Sequence, residues 1–451
     1  MLEEIIKDRK KKIANLIEAG VNPYPAKVKR SHTIREILNN FGSFVRQRKK
    51  FFIVGKIVGF RDQGGLIFVD INDGSSKIQG VLKKANLKNF ELLKKNLDLG
   101  DFISVGGNLF LTKTKEKSIE AKEASIIVKS LRPLPAQWYG LKDVEERFRK
   151  RYLDIFLNKE VKEKIIKRSE IIKELRETLW KEGFIEIETP VLQPIPGGAL
   201  ARPFFTHHNA LDKDFYLRIA PELYLKRLLV AGFDKVFEIG KVFRNEGIDK
   251  DHNPEFTMLE LYWAYKDWED LMKFTEKLFK KWLKKKIKVI TFEEAVKKYA
   301  NFDLRKKNLK DPNLKNEIDE VFKKEVRPKI VEPTFIVKYP KVISPLAKTC
   351  QDDPDFTERF QLIMEGTELV NAFSELNDPL DQRRRMEEQE KMFRQGDKEA
   401  SRLDEDFLEA LEYGMPPAAG LGIGIDRLVA IVTKSNNIKE IIPFPTLRPK
   451  T

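Results

Sequence analysis

Residues 243–265, FRNEGIDKDHNPEFTMLELYWAY, decide how the second half of this chain is read. A charged loop separates two apolar stretches, of which the first is KVFEIGKVFRN (235–245). Two strands flanking a loop fit this pattern. In the second strand Phe256, Met258, Glu260 and Tyr262 fall on one face by alternation. A carboxylate between Met258 and Tyr262 is costly if it is buried without a partner. That face is therefore either open to water or lined with ligand-binding groups. Arg244 closes the first strand, and its planar fork matches phosphate or carboxylate. Arg244 and His252 flank the loop, as a clamp on a polyphosphate requires.

Two further stretches carry polar residues where apolar ones would pack better. In RFQLIMEGTELVNAFSELND (359–378), Glu365-Gly366 suits a two-residue hairpin turn. Ile363 then faces Glu368, with Gln361 on the Glu368 side. Asn371, Phe373 and Glu375 share the other face by alternation. Both sets line one cavity only if a bulge intervenes. In GLGIGIDRL (420–428), alternate glycines allow close backbone approach, and Asp426-Arg427 opens a helix. This is either a tightly packed glycine strand with a surface arginine, or a bed for a flat ligand such as adenine with Arg427 on a phosphate.

Upstream, Ile165, Ile166, Ile172, Leu175, Leu179 and Trp180 form a helical stripe that stops at Gly183. FIEIETP then reads as a strand closed by Pro190. Neither GxGxxG nor GxxxxGK[ST] occurs, which argues against a Rossmann or P-loop site. Residues 151–451 therefore read as an α+β domain around an antiparallel sheet.

The front of the chain is different. Residues 51–131 read as five short strands with a Lys-rich helical segment near 84–97 after the third, the order of an all-β OB barrel. Phe68 projects where it can stack on a base, and Gln79 where it can read a base edge. A ligand-free small barrel has the same pattern. Residues 1–50 read as a helical extension, with Lys7, Arg9, Lys10, Lys11 and Lys12 on a charged face. The Pro- and Gly-bearing stretch within 132–150 reads as a linker.

Composition narrows the classes. The 451 residues include 85 Lys+Arg against 70 Asp+Glu, a net charge of +15, which suits a polyanion such as nucleic acid or a merely Lys-rich surface. One cysteine, Cys350, excludes an intrachain disulfide framework, and a total of four histidines argues against a histidine metal centre. No apolar run approaches the roughly 20 residues of a membrane span. The charged start MLEEIIKDRKKK lacks the apolar core of a signal peptide, so a cytoplasmic location is expected.

RIAPELYLKRLL (218–229), FRNEG…HNPEFTMLELY (243–262), FSELNDP (373–379) and GLGIGIDRL (420–428) together resemble the class II aminoacyl-tRNA synthetases. PGGALARPFFTHHNALD (196–212), ISPLAK (343–348) and EDFLEALEYGMPP (405–417) favour the lysyl group over its aspartyl and asparaginyl relatives. The resemblance runs from about residue 50 to the end. It implies an antiparallel six-stranded catalytic sheet, a homodimer built on the 165–190 helix and strand, and ligation of L-lysine to lysine tRNA with ATP and magnesium.

Residue by residue, the resemblance places Arg244 on the α-phosphate and Arg427 on the γ-phosphate, the two catalytic cations. Phe256 stacks the adenine, with Glu246, His252, Asn253 and Gly424 also at the nucleotide. Gly198 and Glu222 fit the α-amino group of lysine. Tyr262 and Glu375 fit the ε-ammonium and Asn371 the amino-acid head group, with Glu260 and Phe373 also in the lysine pocket. Glu368 is the matched magnesium carboxylate. Gln361 stands where the family usually has a second one, and Leu200 stands for a small polar residue in the GGAxARPF loop. Phe68, Gln79 and Glu116 match residues that read an anticodon base. Relatives that lysylate a protein lack the front barrel, and a non-catalytic relative would not need the phosphate-facing arginines.

Overall fold

A computed structural model describes residues 2–135, 143–283, 285–309, 311, 314–397 and 399–449. The chain divides into two compact units, Met1–Asp143 and Val144–Thr451.

In the first unit, β1 (Phe51–Asp62), β2 (Leu66–Asn72), β3 (Lys77–Lys83), β4 (Phe102–Leu111) and β5 (Lys117–Val128) close into a barrel of order β1-β2-β3-β5-β4. The helix Phe90–Asn96 follows β3, as the sequence pattern requires. Strand alternation sends Ile67, Val69 and Ile71 inward and leaves Phe68 on the outer wall. The expected extension is not separate from the barrel. Leu16, Ile34, Ile37 and Phe41, from three helices between Leu2 and Gln47, join the barrel's own core. Arg9 also departs from the exposed charged face on which the sequence pattern places it. It is buried, and its guanidinium donates to the carbonyls of Leu99, Ser130 and Arg132. Part of the expected linker, residues 136–142, lies outside the described residues; helix resumes at Val144, ahead of the expected boundary.

The second unit is built on β6 (Ile185–Glu186), β10 (Lys235–Phe243), β11 (Glu255–Ala264), β12 (Lys288–Thr291), β13 (Thr334–Pro340), β14 (Phe356–Met364), β15 (Thr367–Ser374) and β16 (Ala418–Gly424). Their order is β12-β13-β14-β15-β16-β11-β10-β6. The six inner strands pair antiparallel throughout. The short edges β12 and β6 add to them in parallel, so the expected six strands become eight. A separate small sheet holds β7 (Leu192–Gln193), β8 (Phe205–His208) and β9 (Lys213–Leu217).

Alternation divides the large sheet into two faces. Leu259, Leu261, Leu362, Val370, Leu421 and Ile423 form a continuous apolar layer with the helices Lys159–Lys181, Trp268–Phe279 and Ile425–Val432. Asp267 caps the Trp268 helix by accepting from the Asp270 amide. The opposite face carries Glu260, Tyr262, Asn371 and Gly422, and it opens into a cavity. Among the described residues no helix is long and apolar enough to cross a membrane.

Candidate active site

The cavity encloses about 630 Å³, within the range of small-molecule sites. Its floor is the polar face of β11, β14, β15 and β16. Its walls come from the 198–200 loop, the 244–253 loop and the helix Leu314–Val321.

Two cations stand on one side. The Arg244 guanidinium lies 5.1 Å over the Phe256 ring, and among the described residues its hydrogen bonds are two long ones to the Ile219 carbonyl, 3.4 and 3.5 Å. Desolvation lowers the Arg244 guanidinium, Glu246 opposes this, and the nearby Arg427 charge adds to it. Arg427 donates to the Glu368 carbonyl at 3.3 Å and meets His252 Nε2 at 3.2 Å. The other His252 nitrogen faces the Asp249 carboxylate at 2.8 Å. Asp426, the neighbour of Arg427, turns inward to Arg168 at 2.6 Å and to the Thr257 amide at 2.7 Å. One residue therefore anchors the helix while the next presents its charge to the cavity. Two like charges facing one cavity suit a multiply charged anion.

Glycine at two positions is required by space. Gly198 has φ +83°, and a Cβ there would meet the Glu222 Cβ at 2.8 Å. A Cβ on Gly420 would sit 2.2 Å from Glu375 Oε1 and 2.4 Å from the Tyr262 ring. At Gly424 the nearest atom is 3.5 Å away, on Arg427, which leaves free surface for a flat ligand there.

Three carboxylates gather at the deep end. Glu222, Glu260 and Glu375 are all buried. The Tyr262 hydroxyl donates to Glu260 at 3.0 Å. Glu375 is ion-paired to Lys226, which also pairs with Glu222. Glu375 lies beneath the lining, while Glu222, Glu260, Tyr262 and Phe373 reach the surface of the cavity. Burial, then the Glu222 charge, push the Glu260 carboxyl up to about 8, against Tyr262 and Arg244. Burial also pushes Glu222 and Glu375 up, and Lys226 opposes it in both. Nothing in the sequence reading marks Lys226. Its one signal is the helical spacing that stacks Glu222, Lys226 and Leu229 on one buried face.

The hairpin turn is the expected one, with positive φ at both Glu365 and Gly366. The expected bulge is present too. Leu362 pairs with Val370 but Ile363 pairs with Glu368, so Leu369 is the extra residue. That slip brings Glu368, Gln361, Asn371 and Phe373 to one cavity. Gln361 is buried, and its carbonyl accepts from the Tyr339 hydroxyl at 2.8 Å. Asn371 Oδ1 accepts from Arg359 at 2.9 Å and from Gln361 at 3.4 Å. Asn253 is also tied to backbone, giving to the Glu255 carbonyl at 2.7 Å and accepting from the Thr446 amide at 3.2 Å. Gln361 and Asn253 thus act first on the frame of the site. Leu200 lines the cavity wall. Arg359 and Tyr339, which organise the Gln361–Asn371 network, carry no sequence motif that would single them out.

The barrel residues form a second locus. Phe68 is half-buried on the outer wall, with the Arg61 guanidinium 5.8 Å from its ring. Gln79 is buried, and its carbonyl accepts from Ser118 at 3.1 Å. Glu116 is exposed in the loop before β5.

Residues 143–448 match the tRNA synthetases class II (D, K and N), and residues 51–134 match the OB-fold nucleic acid binding domain. With an antiparallel sheet whose open face pairs arginines with buried carboxylates, the chain belongs to the class II tRNA synthetases. It is 45% identical to a lysine–tRNA ligase of Pelotomaculum thermopropionicum, across the whole of this chain and 96% of that relative. It is equally 45% identical to that of Carboxydothermus hydrogenoformans, across 100% and 99% of the two chains, and to that of Moorella thermoacetica, across 98% and 97%. Within its class the chain belongs to the lysine–tRNA ligase family.

Proposed function

We propose that the cavity activates L-lysine with ATP to lysyl-adenylate and pyrophosphate, and that lysine then passes to the 3′-terminal ribose of lysine tRNA. The observation that carries this reading is the arrangement of three buried carboxylates at the deep end and two arginines at the phosphate side. A lysine side chain is a point charge on a four-carbon stem, and selecting it needs a buried counter-charge at that depth.

The lysine carboxylate oxygen attacks the α-phosphorus. The new P–O bond forms as the bond to the β-phosphate oxygen breaks, and pyrophosphate leaves with that electron pair. No general base is needed, because the nucleophile is already an anion. Positioning and cationic charge do the work. Arg244 faces the α-phosphate, and Arg427 with His252 faces the outer phosphates. Phe256 and the free surface at Gly424 receive the adenine, beside Glu246. Glu222 and Gly198 receive the α-ammonium, while Glu260, Tyr262 and the Glu375 charge beneath them receive the ε-ammonium. In the second half-reaction the terminal ribose hydroxyl attacks the lysyl carbonyl carbon, and AMP leaves. Lysine-dependent ATP–pyrophosphate exchange followed by charging of lysine tRNA tests the reading; failure of exchange with lysine would end it.

Magnesium, which this family generally uses with ATP, would be held by Glu368 and by the phosphates themselves. Glu368 lines the cavity, and its carboxylate makes no hydrogen bond to another described residue. Magnesium supplies charge neutralisation of the outer phosphates when bound. If Gln361, in place of the family's second carboxylate, shared the metal, the magnesium requirement would be raised, because a neutral amide is a poorer ligand. The Tyr339 bond to its carbonyl supports the other assignment, in which Gln361 only holds Asn371 in place. Magnesium titrations of exchange at fixed ATP should therefore superimpose for wild type and Gln361→Glu. A lower half-saturating concentration in the variant would restore the metal role.

The raised Glu260 carboxyl gives a pH dependence with a definite sign. An ammonium beside Glu260 favours its ionised form, so below about 8 lysine must expel a proton to bind. The lysine KM should fall as pH rises toward 8, with the ATP KM nearly flat. In the empty protein the same proton is held by the folded state and lost by the unfolded one between about 4.5 and 8. This group's contribution to stability therefore falls as pH rises through that window. A lysine KM independent of pH from 6 to 8 would refute this.

Phe68 is the base-stacking candidate of the barrel. Its ring lies outside the core, so Phe68→Ala removes little packing and about 1–3 kcal/mol of stacking. Charging of tRNA should fall while exchange without tRNA is unchanged; equal losses would make Phe68 a structural residue. In a homodimer a second copy covers the apolar side chains left in solvent along the 165–192 segment, among them Ile166, Trp180, Ile185 and Leu192. A monomer in sedimentation equilibrium would remove that part. The cytoplasm is the compartment this reading requires, and a lone buried cysteine suits it.

A further inference from the structure

Lys226 lies on the helix Glu222–Val230, where a lysine ordinarily reaches water. Its side chain is instead wholly buried. The ammonium pairs with Glu222 Oε1 and with Glu375 Oε2. It also lies 5.4 Å from the centre of the Phe373 ring and 6.0 Å from that of Phe407. An ammonium with no access to water is tolerated only when it is paired. Neither Glu375 oxygen has a well-aligned hydrogen-bond donor, although the side chain is buried at 1% exposure. Glu375 Oε1, the oxygen that Lys226 leaves free, lies over Gly420 beside the Tyr262 ring.

We infer that Lys226 is a positioning residue for lysine selection, whose ammonium pins one oxygen each of Glu222 and Glu375 and sets the charge of the ionised pocket. This rests on the reading that the cavity takes lysine. Three carboxylates and one resident ammonium leave two negative charges. L-lysine brings two ammonium groups, one at each end of its stem. An amino acid with a neutral side chain brings one, and leaves a buried carboxylate without a counter-charge. Without Lys226 the pocket would hold three negative charges, and a carboxyl would take up a proton that substrate must then displace.

The groups facing Lys226 and its partners are few. Glu260 and Tyr262 come from β11, and Arg359 from β14 faces Glu222. Arg244 acts on Glu260 from the phosphate side. Burial alone would lower the Lys226 ammonium, but Glu222 and Glu375 outweigh it and raise it, so Lys226 stays charged throughout the working range.

The test is a proton count. Calorimetry of L-lysine binding at pH 7, in two buffers of different ionisation enthalpy, gives the protons released per lysine bound. Wild type should release about one, from Glu260, if the direct ion pairs with Lys226 keep Glu222 and Glu375 charged against the burial that raises both. Lys226→Met should release about one more. Its lysine KM in pyrophosphate exchange should rise about thirtyfold or more, with the ATP KM within about twofold. Lys226→Gln, which keeps a polar chain of shorter reach, should show the same extra proton. An unchanged proton count and lysine KM in both variants overturns the inference. So does a release of two or more protons by wild type, a measurement that needs no variant to fold. Absence of lysine binding and exchange in wild type would instead overturn the reading of the cavity.

Discussion

Arg244→Ala is expected to slow lysyl-adenylate formation by about a thousandfold while leaving binding of lysine tRNA nearly intact. The guanidinium stands over Phe256 on the side proposed for the phosphates, and among the described residues its hydrogen bonds are long ones to the Ile219 carbonyl. It is therefore free to meet charge that grows on the phosphorus in the transition state. Removing one such preorganised donor typically costs about 10²–10³ in rate, and an arginine facing a transferring phosphoryl group can cost more. The effect belongs in the exchange rate at saturating ATP and lysine, since a group acting in the transition state lowers kcat. Single-turnover adenylate formation is the measurement. A normal rate in the variant would remove Arg244 from the chemistry. The parallel loss in Arg427→Ala should be accompanied by a higher ATP KM if Arg427, beside His252, meets the outer phosphates as proposed.

The second large effect is on amino-acid choice. Glu375→Gln should raise the lysine KM by the equivalent of about 2–4 kcal/mol, roughly thirty- to a thousandfold, with little change in the ATP KM. Glu375 lies under the pocket surface with Lys226 on one oxygen and Gly420 against the other. The amide keeps the shape and removes the charge. The loss has two parts: a weaker field at the ε-ammonium, and a Lys226 ammonium left with Glu222 alone. Exchange kinetics with lysine and ATP varied separately give the answer. A lysine KM equal to that of wild type would exclude Glu375 from selection.

Much of this site was legible in the residues. Period-2 alternation placed Glu260 and Tyr262 on one face of β11, and the structure puts them at the deep end of the cavity. Glu365-Gly366 makes the turn its chemistry demands, and the bulge needed to reconcile Glu368 with Asn371 is at Leu369. The barrel order and its inserted helix were legible for the same reason: local spacing and turn residues are properties of the chain itself. The strand β6 was read in FIEIETP, but its parallel pairing and the other edge strand, β12, were not. Ile185–Glu186 is two residues long and gains its partner from β10, some fifty residues on. The partner of so short a segment is not written in its own residues.

Charge patterning was the less reliable guide. Arg9 and Lys226 both sit on helices among other cations, and both are buried against groups far away in the chain or on another element. Gln361 is a similar case. Alternation gives its strand but not the Tyr339 hydroxyl that engages its carbonyl across to β13. The amino-acid order established the strands, the turns and the barrel, because each depends on spacing along one segment, while the roles expected of the arginines and acidic residues came from the resemblance to the class II synthetases. Which charges are paired, and which remain free for substrate, was settled only when distant segments came within contact distance. A buried ionic group is stabilised by whatever lies within a few ångströms of it, and linear order says little about that.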